Sequence, residues 1–448
     1  MVPSAEAEAP SFPELLRFKR VRAGLTQRTL ADLSTVSPRT IRALESGRVN
    51  ARMQTVRLLA DALGLEGLAR ELFVTAGLGG GGGPAPAGTS DPCPGVPRSV
   101  NALLGRDVEV RAMVGALESD HRRMISLSGL AGVGKSRVAA ETAARLSSRR
   151  GWPVLWIGPG TVASAGHGAA FGPLLRSVRL LVESGAQDVS AVCRMIGRHE
   201  VLLVLDGVAD ARVPIGVEEL LAYCPGVRLV STSRAPWSVA GVQGTVLAPL
   251  AVPGPDWEAA SSLEVLAAVP SVRLLADRLS EVRPGFLLGR ADAGAAVRLC
   301  RTLDGLPAAL EAAAAGGGVL SLRRLADMPA AELLGLPATT RPAGAPGTIG
   351  CPIRSGVERL APGPRGLLTE LARFDRALTA CEAAEALRRP VNQVVEGLSA
   401  LTGGGFVRAA HEEAETRLHL PNLVRAALAD PTAPPPAPPG PARPARPA

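Results

Sequence analysis

Short apolar runs and stretches with helical spacing alternate along the middle of the chain. The runs Met124–Leu127, Val201–Leu205 and Val227–Thr232 are too short for ordinary helices and consist mainly of aliphatic residues. Buried parallel strands have this composition, because helices cover both faces of the sheet that contains them. The pattern predicts an α/β domain with a parallel sheet over residues 101–250, followed by a helical subdomain over residues 251–340.

The N-terminal part of the chain has helical spacing alone. Residues 11–76 divide into four or five short helices, the first over Glu14–Ala23. Ser37 followed by Pro38 marks a helix start, because serine caps free amides and proline suits the first turn. The short turn Thr35-Val36 joins this helix to the preceding one, so the segment predicts a helix-turn-helix.

Positive charge is concentrated in the same segment. The whole chain carries a net charge of +8, and residues 11–70 hold eleven basic and five acidic residues, a net charge of +6. A basic helical module of this size suits the phosphate backbone of double-stranded DNA. A small solvated helical bundle with surface arginines is the plainer alternative, and charge alone does not exclude it.

The pattern RxxRxxxGLTQxxLA…VSxxTIxxLExGR, from Arg17 to Arg48, resembles the Cro and phage-repressor type of DNA-binding domain. The resemblance implies that the helix starting at Pro38 enters the major groove. One departure is Thr35, where that family commonly has glycine. A β-branched residue is strained in left-handed backbone, so we expect the turn to differ slightly. The DNA-contacting residues implied by the resemblance are Gln27, Arg28, Arg39, Thr40 and Arg42.

A glycine- and proline-rich segment covers residues 77–100, with five consecutive glycines from Gly79 to Gly83. A chain of this composition is a flexible tether whose ends lie about 25 Å apart on average. We therefore expect the basic module to be tethered to the rest of the chain without rigid docking.

A glycine loop follows the first predicted strand. Gly129-x-x-x-x-Gly134-Lys135-Ser136 matches in full the loop that cradles nucleotide phosphates. Glycines let backbone amides close around phosphate oxygens, the lysine supplies a compact cation and the serine offers a hydroxyl to magnesium. Only Lys19 and Lys135 among the 49 basic residues are lysines, so a chance glycine-rich turn is a poor explanation. The pattern predicts that ATP or ADP and Mg²⁺ are bound by Gly129, Gly132, Gly134, Lys135 and Ser136.

Two later strands end in charged residues. Val201–Leu205 continues into Asp206, and the next predicted strand leads into Arg234. Carboxyl ends of parallel strands meet at one sheet edge, where an aspartate can hold magnesium and an arginine can sense the terminal phosphate. We predict that Lys135, Asp206 and Arg234 act on the phosphates, with Ser136 and Asp206 at the metal.

The pieces LLGRD, GLAGVGKS, LLVLDG, LVSTSR, PSVRLLADR and CRTLDGLPAALEAAA occur in this order over about residues 101–430. They resemble the signal-transduction ATPases with numerous domains (STAND), in the NB-ARC-like branch found in bacterial transcriptional regulators. The resemblance implies that Arg106 and Pro307 border the nucleotide, although a helix start also explains Pro307. Asp206 is followed by Gly207 and has no second acid beside it, so we do not expect fast hydrolysis; the nearest acid is Asp210.

Residues 353–430 combine three helix-spaced segments with two short alternating stretches, which predicts a winged helix. In the STAND family this domain packs on the nucleotide module. The candidate recognition helix Asn392–Leu401 has no basic residue, so we favour packing over DNA binding. Relatives often carry Met-His-Asp where this chain has Leu420-Pro421-Asn422, so the contact of that histidine with ADP is expected to be absent. Residues 431–448 are a proline-rich tail, expected to be disordered.

The remaining chemistry is sparse. Six cysteines are scattered without paired spacing and five histidines form no cluster, which argues against a zinc site or a disulfide framework. We see no leader pattern and no apolar run long enough to span a membrane, so we expect a cytoplasmic protein without a membrane partner.

Together these patterns predict a multidomain fold: an all-α helix-turn-helix, an α/β P-loop NTPase with a helical subdomain, and a winged helix. The function they favour is a transcriptional regulator whose self-assembly on double-stranded DNA is switched by ATP and ADP. Two alternatives stay open. One is a P-loop ATPase or kinase with a tethered basic domain, and the other is a scaffold or defence protein that oligomerises with nucleotide.

Overall fold

The computed structural model describes two compact units. The first comprises the chain up to Gly129 and from Gly134 to Leu247, and the second comprises Leu130–Val133 and the chain from Ala248 onward. The structure describes residues 12–49, 51–65, 101–119, 122–158, 189–197, 199–208, 216–237, 241–254, 262–338, 347–411 and 415–429, with the positions 70, 73–74, 77, 96–97, 178 and 257. The tether predicted over 77–100 lies outside these residues, apart from positions 77, 96 and 97, and so do Asp210 and the predicted tail.

In the continuously described ranges 12–49 and 51–65, the N-terminal module has the helices α1 (Phe12–Arg22), α2 (Gln27–Ser34), α3 (Pro38–Glu45) and α4 (Met53–Ala62). Two of them begin with side-chain caps, and the cap at Ser37 is the one that the sequence suggests. The hydroxyl of Thr26 accepts from the Thr29 amide at 3.0 Å, and that of Ser37 accepts from the Thr40 amide at 3.1 Å. The apolar faces of all four helices meet in one core, which confirms the predicted helix-turn-helix. Its fully buried members include Leu16, Leu30, Ile41, Leu44, Val56 and Leu59.

The turn between α2 and α3 keeps left-handed backbone in spite of its β-branched residue. Thr35 has φ 57° and ψ 12°, and its hydroxyl donates to the carbonyl of Ser34 at 2.6 Å. A non-glycine residue in this region costs about 1–3 kcal/mol and persists where its surroundings hold it. The expected departure at Thr35 is therefore not a change of conformation: Thr35 itself adopts the strained one.

Five parallel strands of the described residues form a single sheet in the first unit. They are β1 (Met124–Ser128), β2 (Val154–Ile157), β3 (Val201–Val208), β4 (Val227–Ser233) and β5 (Gln243–Val246). The order is β2-β3-β4-β1-β5, so β1 lies between β4 and the edge strand β5. This confirms the predicted parallel α/β domain. The described helices of this domain are α5 (Asp107–Glu118), α6 (Lys135–Arg150), α7 (Val189–Ile196) and α8 (Val217–Tyr223).

Strand β3 runs two residues beyond Asp206, where the sequence suggested its end. Its register with β4 shifts between Leu205 and Val208. Gly207 has φ 71°, and its amide donates to the Thr232 hydroxyl at 2.8 Å instead of to a ladder carbonyl. The irregularity places Asp206 at the point where regular pairing stops, which leaves its side chain available to groups at the sheet edge.

In the described residues the second unit is helical, with one hairpin. In chain order its elements are α9 (Leu263–Ala268), α10 (Pro270–Val282), α11 (Arg290–Thr302), α12 (Pro307–Gly316), α13 (Leu322–Ala326), α14 (Ala330–Leu333), α15 (Gly350–Glu358), α16 (Pro362–Leu371), α17 (Ala380–Leu387), α18 (Val391–Gly403), β6 (Arg408–His411), β7 (Thr416–His419) and α19 (Asn422–Leu428). In the helical segment (262–338), α10 packs against α12 and α11 packs against α13. The C-terminal segment (347–429) has the helices α16, α17 and α18 at the three helix-spaced segments and β6 and β7 at the two alternating stretches, with α15 and α19 as further helices.

None of the helices in the described ranges combines the length and the apolar character that crossing a membrane requires.

Candidate nucleotide and DNA sites

The glycine loop begins where β1 ends. Gly129 has φ 136°, and a Cβ atom there would lie 2.7 Å from the carbonyl oxygen of Leu247. No side chain fits at that distance, so only glycine allows this turn out of the sheet. Gly134, with φ 100°, is the last residue before α6 and also lies outside the region that side chains favour. The loop therefore delivers Lys135 and Ser136 as the first two residues of the helix.

Lys135 is held back against the start of the loop. Its Nζ donates to the carbonyl oxygen of Gly129 at 2.8 Å. The pKa of Lys135 is lowered to about 8, chiefly by burial and also by the positive charge of Arg234, whereas the carboxylate of Asp206 opposes both effects. A cation in this position gains strongly from a phosphate anion, because the anion restores the charge compensation that burial removes.

The carboxylate of Asp206 gathers two hydroxyl groups from different elements. Its Oδ1 accepts from Ser136 Oγ at the start of α6 and from Thr232 Oγ1 near the end of β4, each at 2.6 Å. The structure thus brings together Ser136 and Asp206, the two residues predicted to hold the metal. Magnesium prefers oxygen ligands and keeps several waters, so a hydroxyl beside a carboxylate fits this ion.

Thr232 is the functional candidate that sequence reasoning passed over. It also accepts from the Gly207 amide, so it ties Asp206 to the irregular end of β3. The signal was present in the polar run Ser231-Thr232-Ser233 that precedes Arg234, because alternation in a strand points every second residue to one face. Among the described residues no cluster of three or more histidine, cysteine or acidic side chains could hold a metal by itself.

The other predicted nucleotide residues lie in different surroundings. Arg234 is exposed and follows β4 directly. Arg106 is buried, precedes α5, and donates to Glu109 at 3.0 Å. Pro307 is the first residue of α12, in agreement with the helix-start explanation. Contacts of Arg106, Arg234 and Pro307 with a nucleotide stay predictions.

The predicted DNA surface is divided between free and engaged side chains. Arg28, Arg39 and Arg42 are exposed, the last two on α3. Thr40 is half-buried and shares a hydroxyl–hydroxyl contact of 2.8 Å with Ser37. Two of the five predicted contacts are thus arginines on the proposed recognition helix, whereas Thr40 takes part in the cap of that helix.

Gln27 is engaged within the module. Its amide donates to Glu45 Oε2 at 2.7 Å, and Arg20 donates to the same carboxylate at 2.6 and 3.1 Å. Burial acts to raise the pKa of Glu45, but the hydrogen bonds from Arg20 and Gln27 and the charges of Arg20 and Arg17 outweigh it and lower the pKa. Sequence reasoning missed the Arg20–Glu45 pair, although both residues stand in the RxxR…LExGR pattern.

A comparison with protein families matches residues 16–68 to the family described as "Helix-turn-helix". The N-terminal module is therefore a helix-turn-helix domain. The rest of the described chain has the parallel sheet and glycine loop of a P-loop NTPase, in a multidomain protein.

Similar curated proteins come from mycobacteria. A protein of Mycobacterium tuberculosis with the provisional name HTH-type transcriptional regulator is 33% identical over 215 residues, which cover 46% of this chain and 21% of that protein. An uncharacterised protein of Mycobacterium tuberculosis is 29% identical over 227 residues, covering 50% of this chain and 53% of that protein. The chain thus spans about a fifth to a half of the length of these relatives.

Two solved structures are similar over much of the chain. One is a signal transduction ATPase with a tetratricopeptide repeat sensor from Pyrococcus horikoshii, at a TM-score of 0.30 and 13% identity over 77% of this chain and 44% of that one. The other is Cdc6p from Pyrobaculum aerophilum, at a TM-score of 0.26 and 11% identity over 77% of this chain and 96% of that one.

Proposed function

We propose that this protein is a DNA-binding transcriptional regulator whose assembly on DNA is switched by ATP and ADP. The observation that carries the proposal is the meeting of Lys135, Ser136 and Asp206 beside the glycine loop, in a chain that begins with a helix-turn-helix domain. The mycobacterial relative named as an HTH-type transcriptional regulator supports it.

The site residues divide the work on the nucleotide. Lys135 compensates phosphate charge, and because its side chain is mostly buried, that compensation is worth more than at an exposed lysine. Ser136 and Asp206 would hold the magnesium ion, with Thr232 fixing the carboxylate. A bound ATP supplies the γ-phosphate by which two states of the protein can differ in energy.

The site is better suited to switching than to rapid turnover. Gly207 stands directly after Asp206, so no second acid beside it activates water. Arg234, predicted to sense the terminal phosphate, already acts on Lys135 through its charge. We expect hydrolysis below about one turnover per second, near the low end for enzymes, and we assign it the role of resetting the switch.

The DNA-binding side rests on α3. Arg39 and Arg42 are exposed there and would reach base edges or flanking phosphates in the major groove. Arg28, which is also exposed, would contact the sugar-phosphate backbone of the DNA. One such domain has a small footprint. A dimer or larger assembly would place two copies on half-sites roughly 34–36 Å apart, which raises the effective concentration of each.

The C-terminal segment supports the NB-ARC-like assignment. Its helices α16, α17 and α18 and its hairpin are the elements of a winged helix. The candidate recognition helix α18 carries no basic residue, so we assign this domain a packing role in the switch.

The first test identifies the bound nucleotide. Protein purified without added nucleotide is denatured, and the released small molecules are analysed by mass spectrometry. Stoichiometric ADP is expected from the wild type and none from Lys135→Ala, whose ADP affinity we expect to fall about 100-fold. Lys19→Ala, at the only other lysine, is the matched control and should retain ADP. A wild type that neither retains nor binds ADP would contradict the proposal.

The second test concerns DNA. Duplexes are selected from a random library with the ATP-loaded protein and are then used in gel-shift titrations at several salt concentrations. Reversing Arg39 and Arg42 to Glu should abolish the sequence-selective shift. Reversing Arg52, the N-cap residue of α4, and Arg57 within α4 changes the net charge equally and should leave the sequence preference. No sequence preference in the wild type would favour the scaffold alternative, and fast turnover of ATP would favour the enzyme.

A further inference from the structure

The turn between α11 and α12 is joined to the C-terminal segment through Asp304. The Oδ1 of this residue accepts from the amide of Asn422 at 3.0 Å, and its Oδ2 accepts from the amide of Leu423 at 2.8 Å. These are the first two amides of α19, which have no partner within their own helix. One carboxylate from the helical segment therefore satisfies two amides of the C-terminal segment.

Two further hydrogen bonds reinforce the same junction. The guanidinium of Arg408 on β6 donates to the backbone carbonyl of Asp304 at 2.5 Å. The side-chain amide of Asn422 donates to the carbonyl of Arg301 at 3.0 Å. Helix α19 itself packs against α14 and α15, with Leu423 and Val424 buried. The hairpin and the last helix are thus both anchored at this turn.

Charge makes the junction interdependent. Burial raises the pKa of Asp304, against the hydrogen bonds from Leu423 and Asn422 and the charge of Arg408. Burial likewise lowers the pKa of Arg408, and the charge of Asp304 opposes that effect. Each group compensates the other where water is scarce, so loss of either leaves a poorly solvated charge.

The turn is held in one conformation. Asp304 has φ 54°, which is left-handed backbone for a residue with a side chain. Gly305 follows with φ 67°, and its carbonyl oxygen accepts from the Leu250 amide at 3.0 Å. A side chain does not fit there, because a Cβ atom would lie 2.2 Å from the Leu250 carbonyl oxygen. Small displacements of this turn within the present packing are unfavourable, because the backbone of Leu250 leaves no space beside Gly305.

The same turn reaches the glycine loop on its other side. The amide of Ala308 donates to the carbonyl oxygen of Gly132 at 3.2 Å, and a Cβ atom on Gly132 would lie 2.8 Å from the Ala308 Cβ. Only Leu306 and Pro307 separate Asp304-Gly305 from Ala308. The tip of the phosphate loop and the first turn of α19 are thus connected through one rigid stretch of six residues, counting from Leu303.

We propose that Asp304 is the positioning residue that couples the phosphate loop to the C-terminal segment, acting as a latch on α19. The proposal rests on the proposed nucleotide switch and deepens it. A nucleotide that shifts Gly132 displaces Ala308 and the turn, and so weakens or strengthens the hold of Asp304 on α19. By linkage, releasing the latch changes nucleotide affinity by the same factor.

The test measures amide hydrogen exchange of the full-length protein over α19, without nucleotide and with saturating ADP and Mg²⁺. In Asp304→Asn the amides of Asn422 and Leu423 should exchange at least tenfold faster than in the wild type. The wild type should show a change of at least threefold on adding ADP, and Asp304→Asn should show none. Asp327→Asn, an exposed acid of the same segment that pairs with Arg298 at 3.2 Å, is the control and should match the wild type.

The outcomes are separable. Unchanged exchange at Asn422 and Leu423 in Asp304→Asn overturns the latch, and faster exchange that still responds to ADP overturns the coupling. If Asp304→Asn exchanges globally, Asp304→Glu keeps the charge but displaces the carboxylate from the two amides, and it should raise their exchange about threefold, locally; no local change overturns the latch. A wild type that binds no ADP refutes the proposed switch. The hold of Asp304 on α19 is then still tested by comparing amide exchange in the wild type and in Asp304→Asn without nucleotide.

Discussion

The carboxylate of Glu45 in the helix-turn-helix domain and that of Asp206 at the sheet edge are placed in opposite ways. Glu45 is held by the guanidinium of Arg20 and the amide of Gln27, and its side chain is 6% exposed. Asp206 receives two neutral hydroxyls on a single oxygen, from Ser136 and Thr232. One carboxylate is paired with a cation in its own domain, and the other is oriented by hydroxyl groups beside the glycine loop.

Under the proposed function, this difference separates a structural acid from an acid that binds the metal. A cation at hydrogen-bond distance satisfies Glu45 in the folded domain, so its function is to lock α1, α2 and α3 together. Hydroxyl donors orient Asp206 without cancelling its charge, which is what a site for a divalent cation requires. Sequence position alone does not distinguish the two acids, because each stands at or near the end of a helix or strand.

The largest effect should follow the loss of Glu45. Glu45→Ala leaves Arg20 without its partner in a mostly buried position, which costs about 3 kcal/mol in the free energy of unfolding of the domain. Amide exchange over α1–α4 in the full-length protein measures it. Asp61→Ala, which removes an exposed partner of Arg70, is the matched control and should cause no measurable change. A similar loss in both variants would refute the structural role of Glu45.

The pH dependence of nucleotide binding comes next. The pKa of Lys135 is about 8, so the lysine is charged below that pH and becomes neutral above it. ADP affinity should be flat below pH 8 and fall by up to about tenfold per pH unit above it. Calorimetric titration between pH 6.5 and 9.5 measures the profile. Arg234→Ala removes a charge that lowers this pKa, so it should move the fall to higher pH; an unmoved profile would contradict the assignment.

The metal role of Asp206 predicts a smaller, conditional effect. Asp206→Asn should remove most of the gain in nucleotide affinity that Mg²⁺ gives to the wild type, about tenfold or 1.4 kcal/mol. Affinity measured in EDTA should stay within about twofold of the wild type. Fluorescence titration with a labelled ATP, with and without Mg²⁺, measures the two affinities separately. Equal losses under both conditions would show that Asp206 is structural, like Glu45.

The smallest effect concerns the turn of the helix-turn-helix. Thr35→Gly relieves left-handed strain and should raise the stability of the domain by about 1 kcal/mol. Thr35→Val keeps the branching and loses the hydroxyl bond to Ser34, so it should be destabilising. Thermal unfolding of the full-length protein, followed by exchange over α2 and α3, measures both. A loss of stability in Thr35→Gly would mean that the hydroxyl outweighs the strain.

Both functional regions were visible in the sequence because each depends on local backbone chemistry. A capped helix pair with Ser37-Pro38 and a glycine loop that ends in Lys135-Ser136 carry their geometry in a few adjacent residues. The register shift in β3 was not visible, since it depends on Gly207 exchanging a ladder partner for Thr232. The engagement of Gln27 by Glu45 also required the fold, as 18 residues separate the two.

The sequence by itself determined the order of the domains, the order of helices and strands along the chain, and the chemistry of the phosphate loop. These follow from periodicity, capping and glycine, which act over a few residues. Only the tertiary structure decided which acid pairs with a cation inside the protein, as Glu45 does, and which is oriented by hydroxyl groups, as Asp206 is. It also brought Asp304 to α19 across 118 residues of chain. Such contacts join distant segments, and packing selects among the many partners that local patterns permit.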